Sequence, residues 1–591
     1  MTKVEDVSWD VSDLVEPLGG LENVIASSQA LTDELASYEG KIADLSVGDF
    51  LSVMKTYGEL HEVLGRAGNY TGLLYSVNTQ DEDIAAQMQR IEEISADISA
   101  RLSFIEVEFN ELDDEKVQAI IEDSESEFCR YYLKHLRRSA KFQLSTKEES
   151  LLTQLAVTGA SAWDRLFEDQ CSTITVDIDG DSNPVQLDSA LAVLHSADRE
   201  AREKTRDAIS NSLKDGLKIR AYIYNTLAAD HALEDKLRGY PTWLSARNLD
   251  NDTSDESVDA LVQACSGRYD IAQRWYKLKA KLLGLEVLED FDRYAPLAES
   301  EAEIDYDQAC EIVHDAYTSF SPKMTEVFEL FMKNSWIDAP VREGKRGGAF
   351  CAYTVSSHHP FVMLNWTNNR NDVLTLAHEL GHACHAYLAK DQGPFHQDTG
   401  LTFCETASVF AESVTFNRLL SEVSDPKERL ELLAAYIDGQ IATVFRQIAM
   451  HQFEQAVHTH RRNIGELKLA DFSNYWLNTQ RDMMGDSVNV SEGYGNWWSY
   501  VPHFISTPGY VYAYAYGQLL ALSVYAQYQK QGEEIVPAYE AMLSAGGSQS
   551  PQDLASMVGV NLSDPQFWND GLLIIEEMVD QAEKLAEQLS K

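Results

Sequence analysis

Leu374-Thr-Leu-Ala-His-Glu-Leu-Gly-His-Ala-Cys-His-Ala-Tyr387 is the stretch on which the rest of the chain depends. Ala and Leu recur in it, no Pro interrupts it, and Asn371 or Asp372 can cap its start, so it reads as a helix. It holds His-Glu-x-x-His as His378, Glu379 and His382. A separation of four residues is about one helical turn, so both imidazoles face one way and can reach one small cation. Glu379 points roughly 100° away from His378, where it can take a proton from water without being a ligand itself.

Such a short motif also occurs by chance on solvated helices. Here it lies in an apolar run, Gly381 allows another backbone to come close, and a second acidic helix follows. Catalytic zinc usually takes three protein ligands and leaves a fourth position open. The long metzincin pattern would need Gly at 385 and His at 388, but the chain has His385 and Leu388. After a turn through Asp391-Gln-Gly-Pro394, the run Leu401-Thr-Phe-Cys-Glu-Thr-Ala-Ser-Val-Phe-Ala-Glu412 reads as a helix with Glu405 and Glu412 on one face. Glu405 is the expected third ligand, and Glu412 the expected partner that holds a ligand histidine in its tautomer. Cys404 points elsewhere and reads as a small buried hydrophobe.

The chain has 591 residues, 44% of them hydrophobic, enough for a large core. Its 95 acidic and 48 basic residues give a formal charge of −47, which repels nucleic acid and anionic membranes, so neither is an expected partner. The seven cysteines form no Cys-x-x-Cys pair, and the N-terminal residues lack the apolar run of a signal peptide. A reducing, cytoplasmic location is expected. The apolar run Tyr510 to Tyr525 is shorter than the roughly 20 residues a membrane span needs and reads as a buried helix.

From Leu21 to about Gln170 apolar residues recur at helical spacing, as in Leu51, Val53, Met54, Tyr57 and Leu60. The period changes to two between Ser172 and Leu187, a hairpin signal. Asp177, Asp179 and Asp181 there resemble the start of a calcium loop, but Ser182 and Asp188 stand where Gly and Glu are required, so a plain turn is expected. The expected division is an N-terminal helical region, 1–190, with its hairpin near 172–187, and a catalytic region, 191–591. Two short β-type runs precede the metal helix, Gly344 to Val355 and Pro360 to Trp366. An exposed strand there could hold a peptide by main-chain hydrogen bonds, with Gly347, Gly348 and Ala349 as its closest approach. His358 and His359, between the runs, are expected to be surface residues. Farther on, Tyr510, Tyr514 and Gly517 are expected on one helical side and Tyr512 and Tyr516 on another. A phenol or imidazole facing the metal would stabilise an oxyanion, whereas Tyr512 and Tyr516 read as packing residues.

These residues resemble peptidase family M3, and within it the oligoendopeptidase F group. The likeness rests on Lys345-Arg-Gly-Gly-Ala-Phe350, His378-Glu-Leu-Gly-His-Ala-Cys-His385, Phe403-Cys-Glu-Thr-Ala-Ser-Val-Phe-Ala-Glu412 and Pro502-His-Phe with the tyrosines after it, and Tyr240-Pro241 and Tyr294-Ala-Pro-Leu297 add to it. The resemblance implies a mainly α fold, a helical ellipsoid divided by a deep channel, with zinc on its floor and a small sheet beside the zinc helix. It implies one zinc per chain and cleavage of internal bonds in short peptides. It carries the ligand role onto Glu405 and transition-state contacts onto His503, Tyr510 and Tyr514. Gly509 and Gly517 depart from the family pattern. Two other readings are a zinc carboxypeptidase, which needs a positive group for the substrate's terminal carboxylate, and a helical peptide-binding protein with a structural metal. The latter would be closed by four protein ligands.

Overall fold

In the N-terminal third, several helices start at a Ser or Asp whose side chain caps them. In the computed structural model, which describes residues 4–178, 180, 183–297 and 303–590, Ser46 accepts from the Asp49 amide at the start of the Val47–Val77 helix, and Asp81 accepts from Asp83 and Ile84 at the start of Glu82–Leu102. Side-chain caps of this kind satisfy amides that have no partner within the helix. The acidic runs of the sequence are therefore partly caps. Leu51, Val53, Met54 and Leu60 are buried, and with Phe50, Phe104, Ile105 and Phe109 they form one core cluster.

The fold is mainly α. Its contacts divide the chain into two compact units, each made of three separate pieces. The first comprises Met1–Lys141, Ala302–Leu419 and Gln527–Val560, and the second Phe142–Glu301, Leu420–Ala526 and Asn561–Lys591. The division expected at residue 190 runs along the chain, whereas these units interleave. In the first unit Val11, Leu14, Val15, Val24, Ile25, Ala67, Leu73 and Ile91 share a core with Phe361, and Trp336, Phe350 and Ala352 pack against it. The second unit has an aromatic core in which Phe453, Trp476, Trp498 and Phe504 lie ring to ring.

The first unit carries a three-stranded sheet. The central strand Phe361–Trp366 pairs parallel with Ile337–Pro340 and antiparallel with Phe350–Ala352. Ile337–Pro340 is short, buried at every position and ends on Pro, so its pattern does not announce a strand. Its Asp338 is buried, and Lys345 Nζ lies 2.6 Å from its Oδ1, with Arg342 also paired to it. The hairpin expected near 172–187 is present as Thr175–Val176 paired antiparallel with Val185–Gln186. Asp179, Asp181 and Ser182 of the calcium-like pattern lie outside the described residues.

Candidate metal centre

The helix bearing His378, Glu379 and His382 runs Arg370–Ala389. Its cap is neither Asn371 nor Asp372 but Asn369, whose side chain accepts from the Asp372 amide while the Asp372 carboxylate accepts from the Asn369 amide. Asp372 also accepts from the Thr367 amide at 2.7 Å, which ties the helix start to the end of the central strand. The helix Leu401–Glu422 crosses against it at Gly381. A Cβ on Gly381 would lie 2.7 Å from Ala407 O and from Ser408 Cα, so only glycine permits this approach.

That approach brings three donor groups together. His378 Nε2 lies 3.3 Å and His382 Nε2 3.4 Å from Glu405 Oε2, and one donor atom from each residue falls within 4.8 Å of the others. Glu412 Oε2 lies 3.3 Å from His378 Nδ1, on the far side of the ring. A carboxylate only accepts, so Nδ1 donates a hydrogen to Glu412, which leaves Nε2 as the nitrogen that a metal would take in place of its proton. Ser408 Oγ donates to Glu405 Oε2 at 2.7 Å and fixes that carboxylate. Cys404 lies outside the converging set, and burial pushes its thiol up to about 12.

The electrostatics ask for a cation. Burial opposes charge on His378, yet its bonds with Glu405 and Glu412 prevail and raise its pKa to about 10. Burial likewise raises the Glu405 carboxyl, but the two histidines more than reverse it, and it lies well below the carboxylate range. Two imidazole nitrogens and one carboxylate oxygen suit zinc in kind and number, and leave a further position open.

Glu379 is only 7% exposed. Burial raises its pKa, opposed by His378 and His382 and by a hydrogen bond from the Cys351 backbone. It thus lies between the metal helix and the Phe350–Ala352 strand, which has one sheet neighbour among the described residues. Gly347 and Gly348 are not in that strand but in the exposed bend before it, and Ala349 leads into it. Gly348 has φ of +83°, and Asn365 Nδ2 donates to its carbonyl at 2.7 Å. Tyr353, absent from the sequence expectations, is half-buried, with a buried hydroxyl that has no hydrogen-bond partner, and lies 6.3 Å ring to ring from His382. The signal for it was its place two residues after Cys351, on the same strand parity.

His503, Tyr510 and Tyr514 cluster in the second unit. His503 Nε2 lies 3.1 Å from the Tyr514 hydroxyl, the Tyr510 and Tyr514 rings are 5.1 Å apart, and burial lowers the His503 pKa. Tyr510 is not on the helix, which spans Tyr512–Gln531. Gly509 before it has φ of +75°, and a Cβ there would meet Leu244 Cδ1 at 2.6 Å, so the local backbone demands the glycine that departs from the family pattern. Tyr512 and Tyr516 are buried packing residues, with the Tyr512 hydroxyl donating to Asn248 and accepting from Asn251.

Comparison with known proteins accords with this arrangement. Residues 192–573 match the sequence profile of Peptidase family M3, and residues 108–175 that of Oligopeptidase F. The chain belongs to peptidase family M3. Oligopeptidase PepF of Bacillus subtilis is 25% identical over 591 residues, covering 99% of this chain and 88% of that protein. An oligoendopeptidase F homolog of Borreliella burgdorferi is 24% identical, covering 98% of both chains. Among solved structures, one from Chlamydophila abortus superposes with a TM-score of 0.88 at 20% identity, covering 99% of both chains. Oligoendopeptidase-F from Enterococcus faecium superposes at 0.72 with 22% identity, covering 95% of this chain and 98% of that one. This M3 chain is accordingly a peptidase of the oligoendopeptidase F group with that group's mainly α fold. No helix among its described residues is long and apolar enough to cross a membrane.

Proposed function

We propose that this M3 peptidase is a zinc-dependent endopeptidase that hydrolyses internal bonds of short peptides, with Glu379 as general base. The observation that carries the reading is the convergence of His378, His382 and Glu405 on one point, with Glu379 buried on the same helix. Those three residues would hold one zinc ion, which when bound supplies Lewis acidity and a water that ionises near neutral pH. Glu379 accepts the proton of the attacking water and later passes it to the leaving amine. Burial raises its pKa, and that makes it a better base than a solvated carboxylate. Glu412 holds His378 in the tautomer that a metal ligand needs.

The edge strand Phe350–Ala352 is the proposed seat of the substrate backbone. The Cys351 amide turns to Glu379, and Ala349, two residues earlier, has the parity that offers main-chain groups to the same edge. The bend at Gly347 and Gly348 leaves open space around both α-carbons. The roles of His503, Tyr510 and Tyr514 as donors to the oxyanion rest on the family resemblance of Pro502-His503-Phe504 and the tyrosines that follow. The short-peptide substrate is supported by relatives named oligoendopeptidases. Cysteines that form no disulfide among the described residues support a cytoplasmic location.

The test is Glu379→Gln. It should keep about one zinc in the His378, His382 and Glu405 site while turnover of an internally quenched peptide blocked at both ends falls by at least about a thousandfold, because an amide cannot take the proton. Zinc loss from that site in this variant, or undiminished turnover, would remove Glu379 from the role.

A further inference from the structure

Asp13, His358 and His359 form a second convergent cluster in the first unit, and nothing in the peptidase reading uses it. Asp13 belongs to the short turn Ser12–Leu14, and the two histidines to the loop between the strands Phe350–Ala352 and Phe361–Trp366. Contrary to the sequence expectation, they are not surface residues. Their side chains are 9% and 12% exposed, against 46% for Asp13.

The hydrogen bonding of the two rings fixes what each offers. His358 Nδ1 lies 3.2 Å from the His359 carbonyl, and His359 Nδ1 lies 3.1 Å from the Pro360 carbonyl. A carbonyl only accepts, so both Nδ1 atoms carry hydrogen, and in the neutral rings that is the tautomer which leaves Nε2 for a metal. Those two Nε2 atoms face one carboxylate, His358 at 3.4 Å from Asp13 Oδ1 and His359 at 3.1 Å from Oδ2. Asp13 Oδ1 is itself buried without a hydrogen-bond partner. A carboxylate also only accepts, so positive charge has to sit between it and the two rings, as protons on Nε2 or as a cation; burial of the rings opposes the protons, and one donor atom from each residue lies within 4.8 Å of the others.

The rings are also held in place. His359 stacks on Trp336 at 3.8 Å and 17°, and His358 stacks on Phe361 at 6.0 Å and 23°. Arg66 donates to the Leu14 carbonyl and to Ser357 Oγ, so it bridges the same two segments. Glu62, one helical turn before it, accepts from the Ser356 and Ser357 amides and holds the same loop. Ligands fixed in advance lose little entropy on binding.

We infer that Asp13, His358 and His359 are a second metal site, which takes a late first-row divalent cation of the zinc class and ties the N-terminal segment to the sheet. Two imidazoles and a carboxylate select that class over magnesium or calcium, which prefer all-oxygen sets. Solvent supplies the remaining position on the exposed side of Asp13.

The test is metal content by mass spectrometry after zinc loading and desalting, with a cobalt titration of the metal-stripped protein alongside. The full chain should hold two zinc ions, Asp13→Ala one, and His358→Ala/His359→Ala one. A His378→Ala/His382→Ala variant should still bind one cobalt ion with visible d–d absorption, and zinc should raise its melting temperature. Adding Asp13→Ala to that variant should abolish both effects. One zinc in the full chain with none lost on Asp13→Ala, together with no cobalt absorption in the His378→Ala/His382→Ala protein, would overturn the site. Asp13→Ala serves as the main arm because Asp13, unlike His359, is not packed against the aromatic core.

Discussion

At the scale of the residue, the two glutamates of the Leu401–Glu422 helix divide one task. Glu405 touches both histidines, whereas Glu412 touches only the far nitrogen of His378. Glu405→Ala should therefore lose zinc from that centre and activity together. Glu412→Ala should weaken zinc binding by only about 10-fold to 100-fold, as is typical when the partner behind a ligand is removed. Zinc affinity measured against a competing chelator separates the two, and the reverse order would exchange their roles. The tyrosines give a second pair. Tyr510→Phe should lower kcat on the order of 10²-fold to 10³-fold with KM nearly unchanged, the effect of losing an oxyanion donor. Tyr512→Phe should leave kcat alone but cost roughly 1–3 kcal/mol of stability, because Asn248 and Asn251 lose the buried hydroxyl between them. Equal kinetic effects at both positions would return Tyr510 to packing. The convergence of His378, His382 and Glu405 was legible in the sequence because chemistry restricts which side chains can hold zinc. Tyr353 was not, since its one signal, a place two residues after Cys351, is shared by many core aromatics and gains meaning only once the fold sets it beside His382.

At the scale of the element, the metal centre depends on how near two helices come. Gly381→Ala should force the Leu401–Glu422 helix away, because its Cβ meets rigid backbone at Ala407 and Ser408. Overpacking of this kind costs about 1–3 kcal/mol. Glu405 rides on the displaced helix, so zinc affinity should fall as well, although no ligand has been changed. Denaturant unfolding and a zinc titration check the two effects, and wild-type values for both would mean that the helices adjust freely. The spacing of His378, Gly381 and Glu405 made this crossing readable from the sequence. Where elements begin was harder to read. The helix start at Asn369 depends on a reciprocal bond with Asp372, and the delay of the tyrosine helix to Tyr512 depends on the left-handed backbone at Gly509. Within Ile337–Pro340 the buried Asp338 is neutralised by Lys345 and Arg342, a partnership made by the fold and absent from any local pattern.

At the scale of the whole molecule, the question is whether residues 191–591 can stand alone. The sequence places the catalytic region at 191–591, and the family profile for peptidase M3 begins at residue 192. The core of the first unit argues otherwise. Val11, Leu14, Val24, Ile25, Leu73 and Ile91 bury Phe361 on the strand that leads into the metal helix, and Trp336 and Phe350 rest against the same cluster. Removing residues 1–190 would expose these aromatic faces to water, at roughly 25 cal/mol for each Å² of apolar surface. It would also uncover the hairpin loop that Arg66 and Glu62 hold. We therefore expect a chain beginning at residue 191 to aggregate or to bind zinc substoichiometrically, and co-expression with residues 1–190 to restore soluble, metal-loaded protein. Size-exclusion chromatography with metal analysis decides this. A monodisperse, zinc-loaded and active 191–591 would show instead that the N-terminal helices are an appendage, and that the sheet keeps its register without the core they share with it.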